Sequence, residues 1–425
     1  MIRKIGKLTA ATALALGLSG PAWAQVEVEW WDFLGGGDGV RMKALIGQFN
    51  EEHPDIQING TTLEWGLPFY TKVRTSVAVG QGPDIMTYHL SRLPLALEEG
   101  VLSPISEADL ETAGISTGDF FPASIAAASS EDGALMAVPF DIHAIVTYYN
   151  RTALEGTEWL DADGNLTGLN SIDDMTALLT WAKDNGFSDP LSFQTEGGGG
   201  TWRVFYTLLR QQNGEMLTDG EVLAGDNLDK AANAIKIMAD WRAAGLIPEQ
   251  AAYEASVALF SGGKSVLHIN GVWEVPTFKD QTEADTLGFD WFANEVPQLM
   301  DQPATWADSH AFAIPNDPDM DAETRDAVLT VIGWMEKHSL DWAGAGHIPA
   351  YKPTVDSDAY GALQPNATYA SLAGNAAFDP RSKIAGVASP IYDAVDNLIA
   401  PAVHGFLSAD DAAAEMKAQL QALLN

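Results

Sequence analysis

Apolar and polar residues alternate through Val26-Glu-Val-Glu-Trp-Trp31, the period of a half-buried strand. The glycine run 35–39 breaks it, and Met42, Leu45, Ile46 and Phe49 then recur at helical spacing. Pro54 ends that helix and 56–60 reads as a second strand. Strand, helix and strand within about 35 residues predict a βαβ unit with a parallel sheet. The pattern recurs, with a helix over 69–79, a break at Gly82-Pro83, a strand over 84–89, and a short helix over 93–99 closed by Gly100. Farther along, the periodicity predicts a strand at 145–149, a turn at 161–165, and a helix from the N-cap Ser171 to about residue 185. Asp174 stands at the capping-box position of that helix. Helices follow over 202–212, 228–244 and 325–337, with strands at 266–270 and within 306–315. The tail 391–424 reads as helix broken by Pro401 and Gly405. With no internal repeat and no low-complexity linker, two α/β lobes with the chain crossing between them fit better than two domains in tandem.

Composition narrows the partners. A chain of 425 residues exceeds what one core supports, so two domains are expected. Its 58 acidic against 23 basic residues give a formal charge of -35, which argues against nucleic acid and against an anionic membrane surface. The absence of cysteine excludes a disulfide framework, a zinc ribbon and a thiol nucleophile. Arg3, Lys4 and Lys7 precede the apolar run 8–18, and Ala22-Trp23-Ala24 fits a signal-peptidase site. Residues 1–24 are therefore expected to be an export signal cleaved after Ala24, leaving a periplasmic protein. No later run approaches the ~18 consecutive apolar residues of a membrane anchor.

Familiar catalytic motifs are missing or malformed. Ser261-Gly-Gly-Lys-Ser265 lacks the first glycine of a phosphate loop, since that position is Ala258, and a strand rather than a helix follows. In 161–165 the glycine falls at the fourth position, where an EF-hand needs it at the sixth, so a hairpin turn is the better reading. The eight histidines include no His-x-x-x-His pair, and there is no Gly-x-Ser-x-Gly elbow. Neither a metal nor a cofactor is expected. Aromatic residues with polar neighbours at the ends of elements are more informative. Trp31-Asp32, Trp65, His89 with Arg92, Asp141 with His143, Trp202, and Trp273-Glu274 all occupy such places. In open α/β sheets ligands lie beyond the carboxyl ends of strands. Aromatic plates cover the C–H faces of a sugar ring, and charged or amide side chains bond its hydroxyl rim. Any one Trp alone reads better as a core or surface residue; the recurrence over these six places points to a saccharide cleft.

The chain resembles the extracellular solute-binding proteins of carbohydrate-uptake ABC importers, the wider family that includes maltose-binding protein. The resemblance is carried by 49–54 (Phe-Asn-Glu-Glu-His-Pro), Gly82-Pro-Asp-Ile85, Ser91-Arg92-Leu93-Pro94, Ala137-Val-Pro139 with Tyr148-Tyr-Asn150, Phe260-x-x-Gly-Lys264, Ile269-Asn-Gly-x-Trp273 and Gly346-His-Ile-Pro349. It implies an α/β fold of two lobes joined by a multi-stranded hinge, with the ligand in the cleft between them. Lobe 1 is expected to comprise 25–141 plus 311–346, and lobe 2 142–310 plus 347–425. The implied function is capture of a mono- or oligosaccharide by a monomer that delivers it to the transmembrane subunits of an ABC permease. Trp31, Trp65, Trp202 and Trp273 are then expected to stack on the sugar, and Asp32, His89, Arg92, Asp141, His143 and Glu274 to bond its hydroxyls. His347, near a hinge crossing, is expected to face the cleft. Ser91 stands where maltose-binding protein has an acid, and Gly197 to Gly200 occupy a loop that carries Glu and an aromatic there, which argues against maltose itself. The competing readings are an exported glycoside hydrolase working through paired carboxylates and a binding protein for a non-sugar ligand such as a polyamine.

Overall fold

The computed structural model describes residues 25–425, so the expected export signal at 1–24 lies outside the described residues. The alternation from Val26 onward forms the strand Val26–Asp32, with Val28 and Trp30 fully buried. The helix Gly36–Glu52 presents Met42, Leu45, Ile46 and Phe49 to the core at the spacing read from the sequence. The strand Ile56–Thr62 returns parallel to the first, in register from Val26 opposite Ile56. Ile85–His89 lies parallel on its other side. His310–Ala313 then pairs antiparallel with Ile85–His89, and Val138–Pro139 completes a five-stranded sheet.

A second sheet is built around Asp141–Asn150, ten residues long and buried throughout, which explains the strongly apolar stretch 145–149. Leu267–Gly271, Trp291–Glu295, Thr305–Asp308 and Ile348–Pro349 all pair antiparallel with it. Leu191–Ser192 and Ala376–Phe378 extend the sheet at its two ends. One hydrophobic core packs on the first sheet, and two more on the second. This is an α/β fold of two lobes. Among the described residues no helix is long and apolar enough to cross a membrane.

The chain passes between the sheets at Phe140, at Ser309 and in the segment before Ile348. The single strand expected within 306–315 is in fact two, Thr305–Asp308 in one sheet and His310–Ala313 in the other. Ser309 escapes both ladders because its N–H is taken by Asp308 Oδ1 at 2.8 Å, while its carbonyl accepts from the Leu90 N–H at 3.0 Å.

Local chemistry accounts for most boundaries. Gly100, at φ 65°, closes the helix Leu93–Glu99 in the left-handed conformation. Ser171 caps Ile172–Asp184 by accepting from the Asp174 N–H, but the Asp174 carboxylate takes the Asn170 N–H instead of completing a capping box. Pro401 does not break the tail. A π turn over Val395–Ile399 runs into the helical turn Ala400–Val403, near whose start a missing N–H is tolerated. The break falls at Gly405, at φ 80°, before the last helix Ala409–Leu424.

Candidate functional site

The crossings bring four of the eight histidines to one place. Asp141, fully buried at the first crossing, accepts from His143 Nδ1 at 3.0 Å, His310 Nδ1 at 2.8 Å, the His310 N–H at 2.9 Å and Trp342 Nε1 at 2.7 Å. His347 Nδ1 lies 3.2 Å from the same carboxylate but off hydrogen-bond geometry, while its Nε2 meets Asp38 Oδ1 at 3.0 Å. Burial alone would raise the Asp141 pKa, but the imidazoles of His310, His347 and His143 outweigh it and hold the carboxyl well below its usual range. Burial pushes His143 down to about 3, keeping it neutral. For His347 burial is overcome by Asp38 and Asp141, which raise its pKa and make it the charged partner of the cluster. His310 sits opposite His89 across the first sheet, and His89 stacks on Phe33 with ring centroids 4.3 Å apart.

Above this floor the second lobe supplies an aromatic and charged wall. The glycine-rich turn before Gly198–Gln211 is held by Gln194, whose Oε1 accepts from the Gly200 N–H at 2.9 Å. Successive helical residues point to different faces. Trp202 enters the core, stacked on Tyr206 at 4.8 Å, whereas Arg203 and Thr207 turn towards Trp306. The Arg203 guanidinium lies between two indoles, 4.7 Å from the Trp273 ring and 4.7 Å from that of Trp306. Asp379 Oδ1 accepts from Trp202 Nε1 at 2.9 Å and Trp306 Nε1 at 2.8 Å. Its Oδ2 is buried without a partner, as are Arg203 Nε and the Tyr392 hydroxyl. Burial and the charge of Asp308 push the Asp379 carboxyl up to about 7. Trp273 is fixed by a relay in which its Nε1 donates to the Tyr253 hydroxyl at 2.7 Å, which donates to Glu274 Oε1. Gly271 makes room for this ring, since a Cβ there would lie 2.1 Å from Trp273 Cη2.

The facing wall comes from the end of Ile85–His89. Ser91 donates to Asp308 through its N–H at 3.0 Å and its hydroxyl at 2.5 Å, tying the two lobes together. Burial pushes Asp308 up to about 6, although these bonds pull it down. The Arg92 guanidinium lies 4.4 Å over the Tyr70 ring and donates to the Ala388 carbonyl at 3.1 Å. A cavity of about 260 Å³ runs between the walls, bounded by Leu90, Ser91 and Ala126 on one side and Phe378, Asp379 and Arg381 on the other.

The residues singled out from sequence therefore divide. Trp31 and Trp273 are half-buried, Trp65 is 44% exposed, and His89, Arg92 and His143 lie at the junction of the lobes. Three expectations are corrected. Trp202 has no free ring face, because it is wholly buried against Tyr206 with its N–H spent on Asp379. Asp141 has both oxygens engaged by histidines and Trp342 rather than turned to the cleft. His347 does not face the cleft; it is enclosed between Asp38, Asp141 and Trp342, stacked on the last at 4.6 Å. No metal is expected from linear spacing; in space, two groups of His and Asp donors converge. Asp32 and Glu274 serve as local acceptors, for the Leu34 N–H at 2.9 Å and for Tyr253. Sequence reasoning missed Arg203, Trp306, Asp308, Asp379 and Tyr392. Arg203 was signalled by its place beside Trp202 after the glycine run; Asp379 and Tyr392 lie in irregular or broken segments without a pattern to mark them.

Residues 44–334 match the family of bacterial extracellular solute-binding proteins. The chain belongs to that family. Among its relatives is the mannitol-binding protein of Pseudomonas aeruginosa, 24% identical over 368 residues, which span 77% of this chain and 74% of the relative. The sn-glycerol-3-phosphate-binding periplasmic protein UgpB of Rhizobium meliloti is 22% identical over a shorter stretch, 35% of each chain. Two solved structures share the fold of this solute-binding protein. The GacH receptor of Streptomyces glaucescens superposes with a TM-score of 0.78 at 16% identity, covering 94% of this chain and 98% of its own. Maltose-bound MalE3 of T. maritima gives 0.77 at 18% identity, covering 94% of this chain and 100% of its own.

Proposed function

We propose that this solute-binding protein captures a saccharide or polyol between its lobes and presents it to the membrane subunits of an ABC permease. In this reading it is an exported, periplasmic monomer without catalytic activity, and its lobes comprise 25–141 plus 311–346 and 142–310 plus 347–425. The observation that carries the reading is the wall formed by Arg203, set in the corner of the perpendicular Trp273 and Trp306 rings, beside Asp379 Oδ2 and the Tyr392 hydroxyl, which are buried and unpartnered among the described residues. A buried polar atom without a partner is costly, and a ligand hydroxyl supplies what each lacks. Trp273 and the exposed Trp65 offer ring faces for sugar C–H groups, with Trp31 beside them at the cleft rim. His89, Arg92 and His143 supply polar contacts from the junction. The relatives named for mannitol and glycerol phosphate are in keeping with a small polyhydroxylated ligand. Closure follows if the ligand bonds both walls, because only a ligand with differential affinity for the closed form shifts the equilibrium.

A thermal-shift panel of hexoses, hexitols, disaccharides and oligosaccharides tests the reading. Ligand at ~100 Kd stabilises by about 2.7 kcal/mol, a clear rise in melting temperature. Recovery of the ligand unchanged separates binding from hydrolysis. A melt that moves with polyamines and with no saccharide or polyol sinks the proposal.

A further inference from the structure

The junction of the lobes holds a second kind of site. His89, His143 and Asp308 are each buried and come from three different strands, yet one donor atom of each lies within 4.8 Å of the other two. Both rings have their Nδ1 committed, His89 to the Tyr70 hydroxyl at 2.5 Å and His143 to Asp141 Oδ1 at 3.0 Å. These bonds fix the orientation of both rings, the Asp141 carboxylate also fixes the His143 tautomer, and Nε2 of both rings is left without a protein hydrogen bond among the described residues. Asp308 is oriented in the same way, by the N–H groups of Ser91 and Ser309 on Oδ1 and by the Ser91 hydroxyl on Oδ2. Imidazoles held from behind by an oxygen, with a hydrogen-bonded carboxylate beside them, have the outer-sphere support of metal ligands.

The neighbouring group of Asp141, His143, His310 and His347 lacks this character. There Nδ1 of all three histidines already lies within 2.8–3.2 Å of the Asp141 carboxylate, two as hydrogen bonds and His347 as an ion pair, so those nitrogens are engaged by Asp141. We propose that His89, His143 and Asp308 bind one divalent transition-metal ion of the zinc or cobalt class. Two nitrogens and one oxygen suit such an ion better than calcium or magnesium, which take oxygen ligands, and they leave coordination positions open. Since His89 belongs to the first sheet and the other two ligands to the second, the ion ties the lobes at the base of the cleft.

The test uses the full chain, stripped of metal with a chelator and free of sugar, so that it is independent of the proposed ligand. Zinc is titrated calorimetrically in excess magnesium, which occupies the many surface carboxylates, and cobalt is followed by the visible absorption of its imidazole complexes. One equivalent of zinc is expected to bind despite the magnesium, and at least tenfold more weakly in His89→Gln and in the isosteric Asp308→Asn. Tyr70→Phe, which touches no ion but releases His89 Nδ1, is expected to weaken binding about tenfold or more. His404→Gln, away from the junction, should leave it unchanged, and circular dichroism confirms that each variant is folded. The proposal is overturned if no zinc binds in magnesium, or if folded Asp308→Asn and Tyr70→Phe bind it as tightly as the parent.

Discussion

Replacing Asp379 with Asn should flatten the pH dependence of stability between pH 5 and pH 8. The carboxyl is buried beneath two indoles, both donating to Oδ1, and nothing bonds Oδ2. Burial, followed by the charge of Asp308, pushes its pKa from 3.8 to about 7. A pKa raised on folding means that the folded chain holds the proton more tightly than the unfolded chain. The stabilisation is therefore fully present below pH 3.8 and is lost as pH climbs through about 7. The difference between the two pKa values corresponds to about 4 kcal/mol, of which about 2–3 kcal/mol disappears between pH 5 and pH 8. Asn keeps an acceptor for both indoles and carries no charge at any pH. Urea unfolding of parent and D379N at several pH values isolates this one group, because the other 57 acidic residues are shared and cancel in the difference. Relative to the parent, D379N should gain about 2–3 kcal/mol over that window. Parallel pH profiles, or a gain in the opposite direction, would refute the assignment of a buried, proton-holding carboxyl.

Other outcomes follow from the same geometry. Trp273→Ala should weaken ligand binding by about 1–3 kcal/mol, roughly five- to hundredfold, with the fold retained by circular dichroism; unchanged calorimetric affinity would return Trp273 to a structural role. Gly271→Ala places a Cβ 2.1–2.2 Å from three Trp273 ring atoms, so the ring must move and affinity should fall at least fivefold; parental affinity would show that the ring position is immaterial. Gly346→Ala combines φ +96° with a Cβ 1.9 Å from the Val272 carbonyl oxygen. A backbone atom cannot swing aside, so unfolding should become easier by about 3 kcal/mol or more in urea, and a loss below about 1 kcal/mol would contradict the close approach at this crossing.

What the sequence disclosed and what it withheld divide along a physical line. Elements whose burial has one period were legible: Val26–Asp32 alternates, Gly36–Glu52 repeats every three or four residues, and Asp141–Asn150 is strongly apolar over 144–149 because both faces are covered. The site was legible only where it adjoins such elements, as with His89 and Trp273. Trp202 and Arg203 show the limit. Both follow the glycine run, but a helix separates neighbours by about 100°, so one residue enters the core and the other turns to Trp273 and Trp306. Hydropathy alone assigns the plate to Trp202, whereas the proposed site uses Arg203, beside indoles 70 and 103 positions farther along the chain.

The histidines carry the point further. His89, His143, His310 and His347 have no local spacing in the sequence, and they could acquire none, because each stands on a different strand or crossing. Their meeting is a product of the two-lobe topology. A chain that passes between two sheets three times must set its crossing segments side by side, and whatever those segments carry is packed together without regard to sequence distance. Here they carry Asp141 with His143, Asp308 with His310, and His347. Apolar side chains at these places would leave a passive joint. The residues present instead make a buried charge pair between Asp141 and His347, flanked by the neutral imidazole of His143, and truncating one partner would strand the other charge in the interior. The cluster therefore holds the three crossings in one arrangement and sets His89, His143 and Asp308 at the point where the lobes meet, so the floor of the cleft and the junction of the lobes are one structure.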